Sequence, residues 1–209
     1  MTAESADPDP QPETQAETAV EGLTELVGGD LHDICDAAEA AILDGGGFGW
    51  LRPPPRHVME IYWKGVLLVP ERELFVARLD RVIAGSAQLM RPPRNNEAQA
   101  LTGQLTTFFM APWARGFGLA RRLVEAVETA ARDAGLQVLN LDVRETQERA
   151  IEIYHQLGYQ RWGTHKNYAC VDGRWVTGFY YAKELGAEDL SAEDLGAEGL
   201  DGGGAAPDT

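Results

Sequence analysis

Between an apolar, strand-like run and a strongly periodic helix the chain reads Arg115-Gly116-Phe117-Gly118-Leu119-Ala120. Two glycines in one turn let a backbone bend tightly and bring its N–H groups close to a ligand. The helix that follows points its positive dipole end at the same spot. The stretch therefore reads as a strand–loop–helix cradle for the pyrophosphate of a nucleotide-like cofactor. It is not the dinucleotide fingerprint, because the third glycine is missing and no acidic residue closes the next strand for a ribose. It is not a Walker loop either, since Gly118 is not followed by Lys and Ser/Thr.

The helix after this loop has one apolar stripe, Leu119, Leu123, Val127 and Ala130-Ala131, widened by Ala120 and Val124 and closed by Gly135. A short strand is expected over 137–143, then a helix over 146–157 with Ala150, Ile153, Tyr154 and Leu157 on one face, ended by Gly158. Segments 159–171 and 175–182 flank Asp172-Gly173, a strong hairpin signal. Upstream, 31–43 reads as an amphipathic helix with Asp30 as its N-cap, and Pro53-Pro54-Pro55 forbids a helix before His57. A short helix or strand follows over 59–63, a strand pair over 73–79 and 82–90, and a long strand over 101–110. The order α, ββ, β-α-β-α, ββ implies an α+β fold with a mixed sheet, in which the helix after the glycine loop joins a parallel strand pair.

Charge divides the chain into three parts. Residues 1–30 hold 8 acidic side chains and no basic ones, and 184–209 do the same. The middle, 31–183, holds 17 acidic and 18 basic side chains, so the overall charge of -15 belongs to the ends. Residues 1–28 read as a disordered acidic N-terminal tail, 29–185 as the folded domain and 186–209 as a disordered acidic C-terminal tail with a leucine every five residues. A nearly neutral domain lacks the basic face of a nucleic-acid module. No apolar run approaches the ~18–20 residues of a membrane span. Cys35 and Cys170 are the only cysteines, too few and too far apart in sequence for a metal site or a disulfide scaffold, and read as reduced thiols of a cytoplasmic protein. Arg outnumbers Lys 15 to 3, which points to a GC-rich bacterial genome.

Two motifs in order carry a resemblance to a known family. Arg115, Gly118 and Ala120 fit Arg/Gln-x-x-Gly-x-Gly/Ala after the strand end Met110-Ala111-Pro112. Further on, Gln147, Ala150, Tyr154, Gly158 and Tyr159 fit Asn-x-x-Ala-x-x-x-Tyr-x-x-x-Gly-Phe with two replacements. The chain thus resembles the GNAT superfamily of N-acetyltransferases over about 31–185. The resemblance implies a mixed, mostly antiparallel sheet whose central parallel pair is splayed to take CoA, flanked by helices. It implies acetyl-CoA as co-substrate, with no metal. Backbone groups of Phe108, Phe109 and Met110 would hold the pantetheine arm, amides of Arg115, Gly116, Phe117, Gly118, Leu119 and Ala120 the pyrophosphate, and Gln147, in place of Asn, would make a further cofactor contact. Tyr154 would protonate the departing thiolate.

Direct attack by a neutral amine needs a base or a water relay. The 101–110 strand has no acidic residue, so Asp142 and Glu145 are the candidates, with a helix cap and a solvated first-turn carboxylate as their competing roles. Trp50, Tyr62 and Trp63 could wall an acceptor pocket or simply pack, and His165 and Tyr168 could touch the acceptor from the hairpin. The expected partner is a small-molecule amine, an amino acid or a protein amino group. An exposed edge strand could pair across a homodimer. The alternative of a different class is a non-catalytic acyl-CoA-binding module whose tails recruit partners.

Overall fold

The computed structural model describes residues 16–46 and 49–186. The acidic segment before residue 16, Gly47-Phe48 and the leucine repeat beyond Gly186 lie outside the described residues. The elements run β1 (Thr18–Leu23), α1 (Asp30–Leu43), α2 (Arg56–Val66), β2 (Arg72–Leu79), β3 (Val82–Met90), β4 (Thr102–Met110), α3 (Leu119–Asp133), β5 (Val138–Arg144), α4 (Glu148–Gln156), β6 (Gln160–Val171) and β7 (Arg174–Glu184). The strands form one seven-stranded sheet in the order β1-β2-β3-β4-β5-β7-β6. Every neighbouring pair is antiparallel except β4 and β5, which are joined through α3. This is the expected α+β architecture.

Side-chain alternation along the strands separates two cores. Leu74, Val76 and Ile83 face Ile34, Cys35, Ala38, Met59 and Trp63 of α1 and α2. Phe75, Ala77, Leu139 and Leu141 face Leu119, Leu123, Val127 and Tyr154 of α3 and α4. Burial pushes the Cys35 thiol up to about 11, so it packs as an inert apolar group.

Three expectations need correction. The N-terminal tail does not extend to residue 28: Thr18–Leu23 adds an edge strand to β2, and Arg78 pairs with Glu21 across it (2.5 Å). A six-residue segment with few large apolar groups carries little strand signal, and pairing to β2 supplies what propensity does not. Asp30 is the first helical residue rather than the cap, a position held by Gly29. Its carboxylate instead accepts hydrogen bonds from Val27 N–H (3.2 Å) and Arg78 Nη1 (2.8 Å), tying α1 to β2. Helix α2 starts at Arg56, before His57, because Pro55 at ψ 141 serves as its extended cap.

Candidate active site

The site grows from the parting of β4 and β5. They pair only at Thr102, Gly103 and Gln104 against Val138, Leu139 and Asn140. Beyond that, β4 turns away at a bulge. Its register against β3 shifts between Ser86, opposite Phe109, and Gln88, opposite Thr106, and Thr107 takes φ 51. A non-glycine residue there is strained and needs support. Fully buried Gln88 supplies it in a relay: Arg72 Nη1 donates to Gln88 Oε1 (2.7 Å), Gln88 Nε2 donates to Tyr62 Oη (3.2 Å), and Tyr62 Oη lies 3.4 Å from Thr107 Oγ1.

The parted strands leave a cleft of about 660 Å³. Its walls are Leu105 to Phe108 of β4, Asp142 to Arg144 of β5, Gln147, Ala150 and Tyr154 at and within α4, Trp50 and Tyr62 from the α1–α2 side, and Tyr168 to Cys170 of β6. Trp63, in contrast, is fully buried in the α1–α2 core, and His165 is exposed and not part of the wall.

After β4 the chain runs into the glycine loop that opens α3. Gly118 caps α3 at φ 73, with no side-chain hydrogen bond to the cap. The first α-helical bond runs from Arg122 N–H to Gly118 O (3.3 Å), so the N–H groups of Leu119, Ala120 and Arg121 have no α-helical acceptor. The first turn has no acidic side chain, although Arg121 and Arg122 crowd the positive end of the dipole, an arrangement that favours an anion. A Cβ built on Gly116 or Gly118 meets nothing within 4 Å, so the space before the helix is open. The residues present fit a pyrophosphate. The Arg115 side chain does not point there; Nη2 binds Asp44 (2.5 Å).

Two further side chains grip the same segment after α1. Gln147 Nε2 donates to Gly45 O (2.7 Å), and Arg144 Nη2 donates to Gly46 O (2.5 Å). The Gln147 amide, expected to touch the cofactor, is seen to anchor the exit of α1. Phe108 lines the cleft, Phe109 turns its ring into the α1–α2 core, and Met110 packs against the α3 core.

Tyr154 sits where the cleft meets α4. It is 3% exposed, and its ring touches Phe108 (5.8 Å between centroids), Tyr159 (5.6 Å) and Tyr181 (6.3 Å). The end of α4 fixes this placement. Gly158, at φ 87, lets Tyr159 N–H reach Tyr154 O (2.9 Å) and Gly158 N–H reach His155 O (3.0 Å), the paired bonds of a Schellman motif. The Tyr154 hydroxyl makes no hydrogen bond among the described residues and borders the cleft. Burial, helped by the charge of Asp142, pushes its phenol well above the ordinary tyrosine range. Tyr159, which replaces the Phe of the family motif, has a phenol raised by burial and by the nearby Glu128 carboxylate, which also takes Lys183 Nζ (2.6 Å).

The two carboxylates differ. Asp142 lines the cleft and accepts the Tyr168 hydroxyl. Glu145 does not line it; Oε1 accepts Thr177 N–H (3.0 Å), which secures the start of the β5–α4 loop to β7. Tyr168 reaches Asp142 because β6 bulges between His165 and Ala169, and because Gly178 opposite leaves room for its ring. Burial and the Asp142 bond raise the Tyr168 phenol. Arg144 and the Thr107 bulge were not foreseen. Arg144 had no motif to mark it, although its place two residues after Asp142 on one strand puts it on the same face.

Among the described residues, no group of three or more His, Cys, Asp or Glu side chains could hold a metal ion, and no helix is long and apolar enough to cross a membrane.

The structure thus holds a parted parallel strand pair, an open helix N-terminus and a buried phenol that borders the cleft. A model of the acetyltransferase (GNAT) family matches residues 36–159, and the chain belongs to that family. It is 58% identical over 161 residues to an Azospirillum brasilense protein described as an uncharacterized N-acetyltransferase in the hisH-hisA intergenic region, covering 73% of this chain and 96% of that one. Two solved structures share the fold. One is yncA of Salmonella typhimurium with its cofactor acetyl-CoA (TM-score 0.67, 17% identity, 83% of this chain and 96% of that one). The other is a GNAT superfamily phosphinothricin acetyltransferase of Sinorhizobium meliloti in complex with acetyl-CoA (TM-score 0.67, 20% identity, 81% and 89%).

Proposed function

We propose that this protein is a cytoplasmic enzyme that moves an acetyl group from acetyl-CoA to the amine of a small molecule, amino acid or protein. The observation that carries the reading is the cleft between the parted β4 and β5, with Phe108 and Tyr154 in its wall, in a chain whose next helix, α3, has an open N-terminus. Loop amides from Arg115 to Ala120 would take the pyrophosphate, and the unpaired edge at Phe108 to Met110 would take the pantetheine arm. The thioester supplies the acetyl group: the amine nitrogen bonds to the carbonyl carbon, and the carbon–sulfur bond breaks.

Tyr154 gives its proton to the sulfur as negative charge builds there; a phenol carries that proton at neutral pH. Asp142, whose carboxylate borders the same cleft, receives the proton the amine loses. Tyr168 holds that carboxylate in position. Holding both substrates side by side removes much of the entropic barrier. The outer strand β6, paired only with β7 in the described sheet, supports a homodimer formed along its free edge, which sedimentation would test.

Incubating the purified protein with acetyl-CoA and a panel of amines, with free thiol and acetylated product measured, tests the reading. Amine-dependent release of one thiol per acetylated product is expected. Tight CoA binding without acetylation of any amine would leave a non-catalytic CoA-binding module in its place.

A further inference from the structure

Among the described residues, Arg144 is the cation in the cleft wall, and the proposed transfer does not use it. It is 9% exposed, and it lines the cleft. A guanidinium has five N–H donors and a charge that is never lost. Among the described residues it makes one hydrogen bond, from Nη2 to the neutral Gly46 carbonyl, and no carboxylate lies within 4.0 Å of it. Half-buried Arg78, in contrast, meets both Glu21 and Asp30. A desolvated cation without a counter-charge is costly, and the cost is relieved when an anion arrives.

The surroundings say what kind of molecule brings that anion. Asp142 and Arg144 are two residues apart on β5, so their side chains leave the same face about 7 Å apart. That face looks away from the core formed by Leu139, Leu141 and Val143 and into the acceptor half of the cleft, with Tyr62, Trp50 and Tyr168 around it. A carboxylate and a guanidinium side by side match a ligand that carries an amine and an oxyanion close together.

We propose that Arg144 binds an anionic group of the acceptor, and that the acceptor is a small amine bearing its own carboxylate or comparable oxyanion, as a free amino acid does. The amine then lies at Asp142 and the oxyanion at Arg144. This rests on the acetyltransferase reading and narrows its substrate class. It disfavours protein lysines and simple alkylamines, which carry no neighbouring anion.

The test uses paired acceptors with the full-length protein: standard amino acids against their amides, and O-phosphoethanolamine against ethanolamine. The first pairs probe a carboxylate and the second a phosphate. The anionic member of at least one pair should be used with a kcat/KM at least about tenfold higher, a preference of the size one charge-assisted contact supplies. Arg144→Gln should bring that ratio to near one through KM, and Arg144→Lys should keep part of it. Equal use of both members by the wild type would overturn the proposal. So would a ratio unchanged in Arg144→Gln, or an equal weakening of acetyl-CoA binding, which would assign Arg144 to the cofactor. If neither member is acetylated, calorimetric titration of the same pairs into CoA-saturated protein decides. Binding of the anionic member that Arg144→Gln abolishes would keep the anion site while the catalytic reading fell. No difference in binding between the two members would sink the anion site as well.

Discussion

Replacing Gly118 with Glu separates a structural glycine from a ligand-binding one. Gly118 has φ 73, and a Cβ there would meet nothing within 4 Å. The substitution therefore costs left-handed strain of about 1–2 kcal/mol and no clash. A carboxylate at a helix N-terminus returns about 0.3–1 kcal/mol. The unliganded variant should then melt at most about 7 °C below wild type, at about 2–4 °C per kcal/mol for a domain of this size. Its ligand response should differ far more. Acetyl-CoA at about 100 times its Kd stabilises a protein by about 2.7 kcal/mol, a rise of about 5–11 °C. One carboxylate about 4 Å from one phosphate charge costs about 4 kcal/mol at an effective dielectric constant of about 20. That is nearly a thousandfold in affinity, so the same concentration becomes about a tenth of the new Kd and the rise vanishes. Melting curves of wild type, Gly118→Ala and Gly118→Glu with and without acetyl-CoA read both effects. The alanine variant, strained but uncharged, should keep most of the rise. A Gly118→Glu protein that keeps the full rise would refute the loop as the pyrophosphate cradle.

Other expectations follow from the same contacts. In Gly178→Ala the new Cβ would clash with the Tyr168 ring and its Cβ, so Tyr168 must leave Asp142. The expected result is a loss of about 1–3 kcal/mol in stability and a raised acceptor KM with acetyl-CoA affinity retained. Burial alone would push the Asp30 carboxyl up, but hydrogen bonds from Arg78 and Val27 N–H outweigh it and hold it below the usual range. Its stabilisation is thus complete above its unfolded pKa of about 3.9 and is lost as pH falls through the lower folded value. Melting temperature against pH should fall less steeply below about pH 4 in Asp30→Asn than in wild type. Deleting the chain through Leu23 removes β1 and the Glu21–Arg78 pair and bares the edge of β2, so a lower melting temperature and a tendency to aggregate are expected in scattering and melting assays.

Local signals account for what was legible beforehand. The α3 stripe repeats at helical spacing over four turns, Gly135 and Gly158 close their helices, and Asp172-Gly173 takes positive φ at both residues of its turn. The glycine loop and Tyr154 were recognisable because their spacing is set within single elements. Edge strand β1 was missed because its stability comes from β2, a partner far along the chain. The bulge at Thr107 left no glycine to mark it; its support comes from Tyr62 and Gln88, distant in sequence. Asp142 and Glu145 looked equivalent as neighbours on one strand end, and only the course of β6 and β7 separates them: Tyr168 meets the first in the cleft, and Thr177 N–H takes the second out of it. Arg144 was invisible for the same reason, since its meaning depends on which partners the fold withholds.

The central claim is that Tyr154 protonates the leaving thiolate. Its most direct test is turnover of Tyr154→Phe beside wild type, with acetyl-CoA affinity measured by calorimetry on both. The ring contacts with Phe108, Tyr159 and Tyr181 survive this change, and the hydroxyl has no hydrogen bond to lose among the described residues. A fall in kcat of about 10²–10⁴-fold with unchanged acetyl-CoA affinity is the expected result for a general acid. Wild-type turnover in Tyr154→Phe would contradict it and leave Tyr154 a core residue.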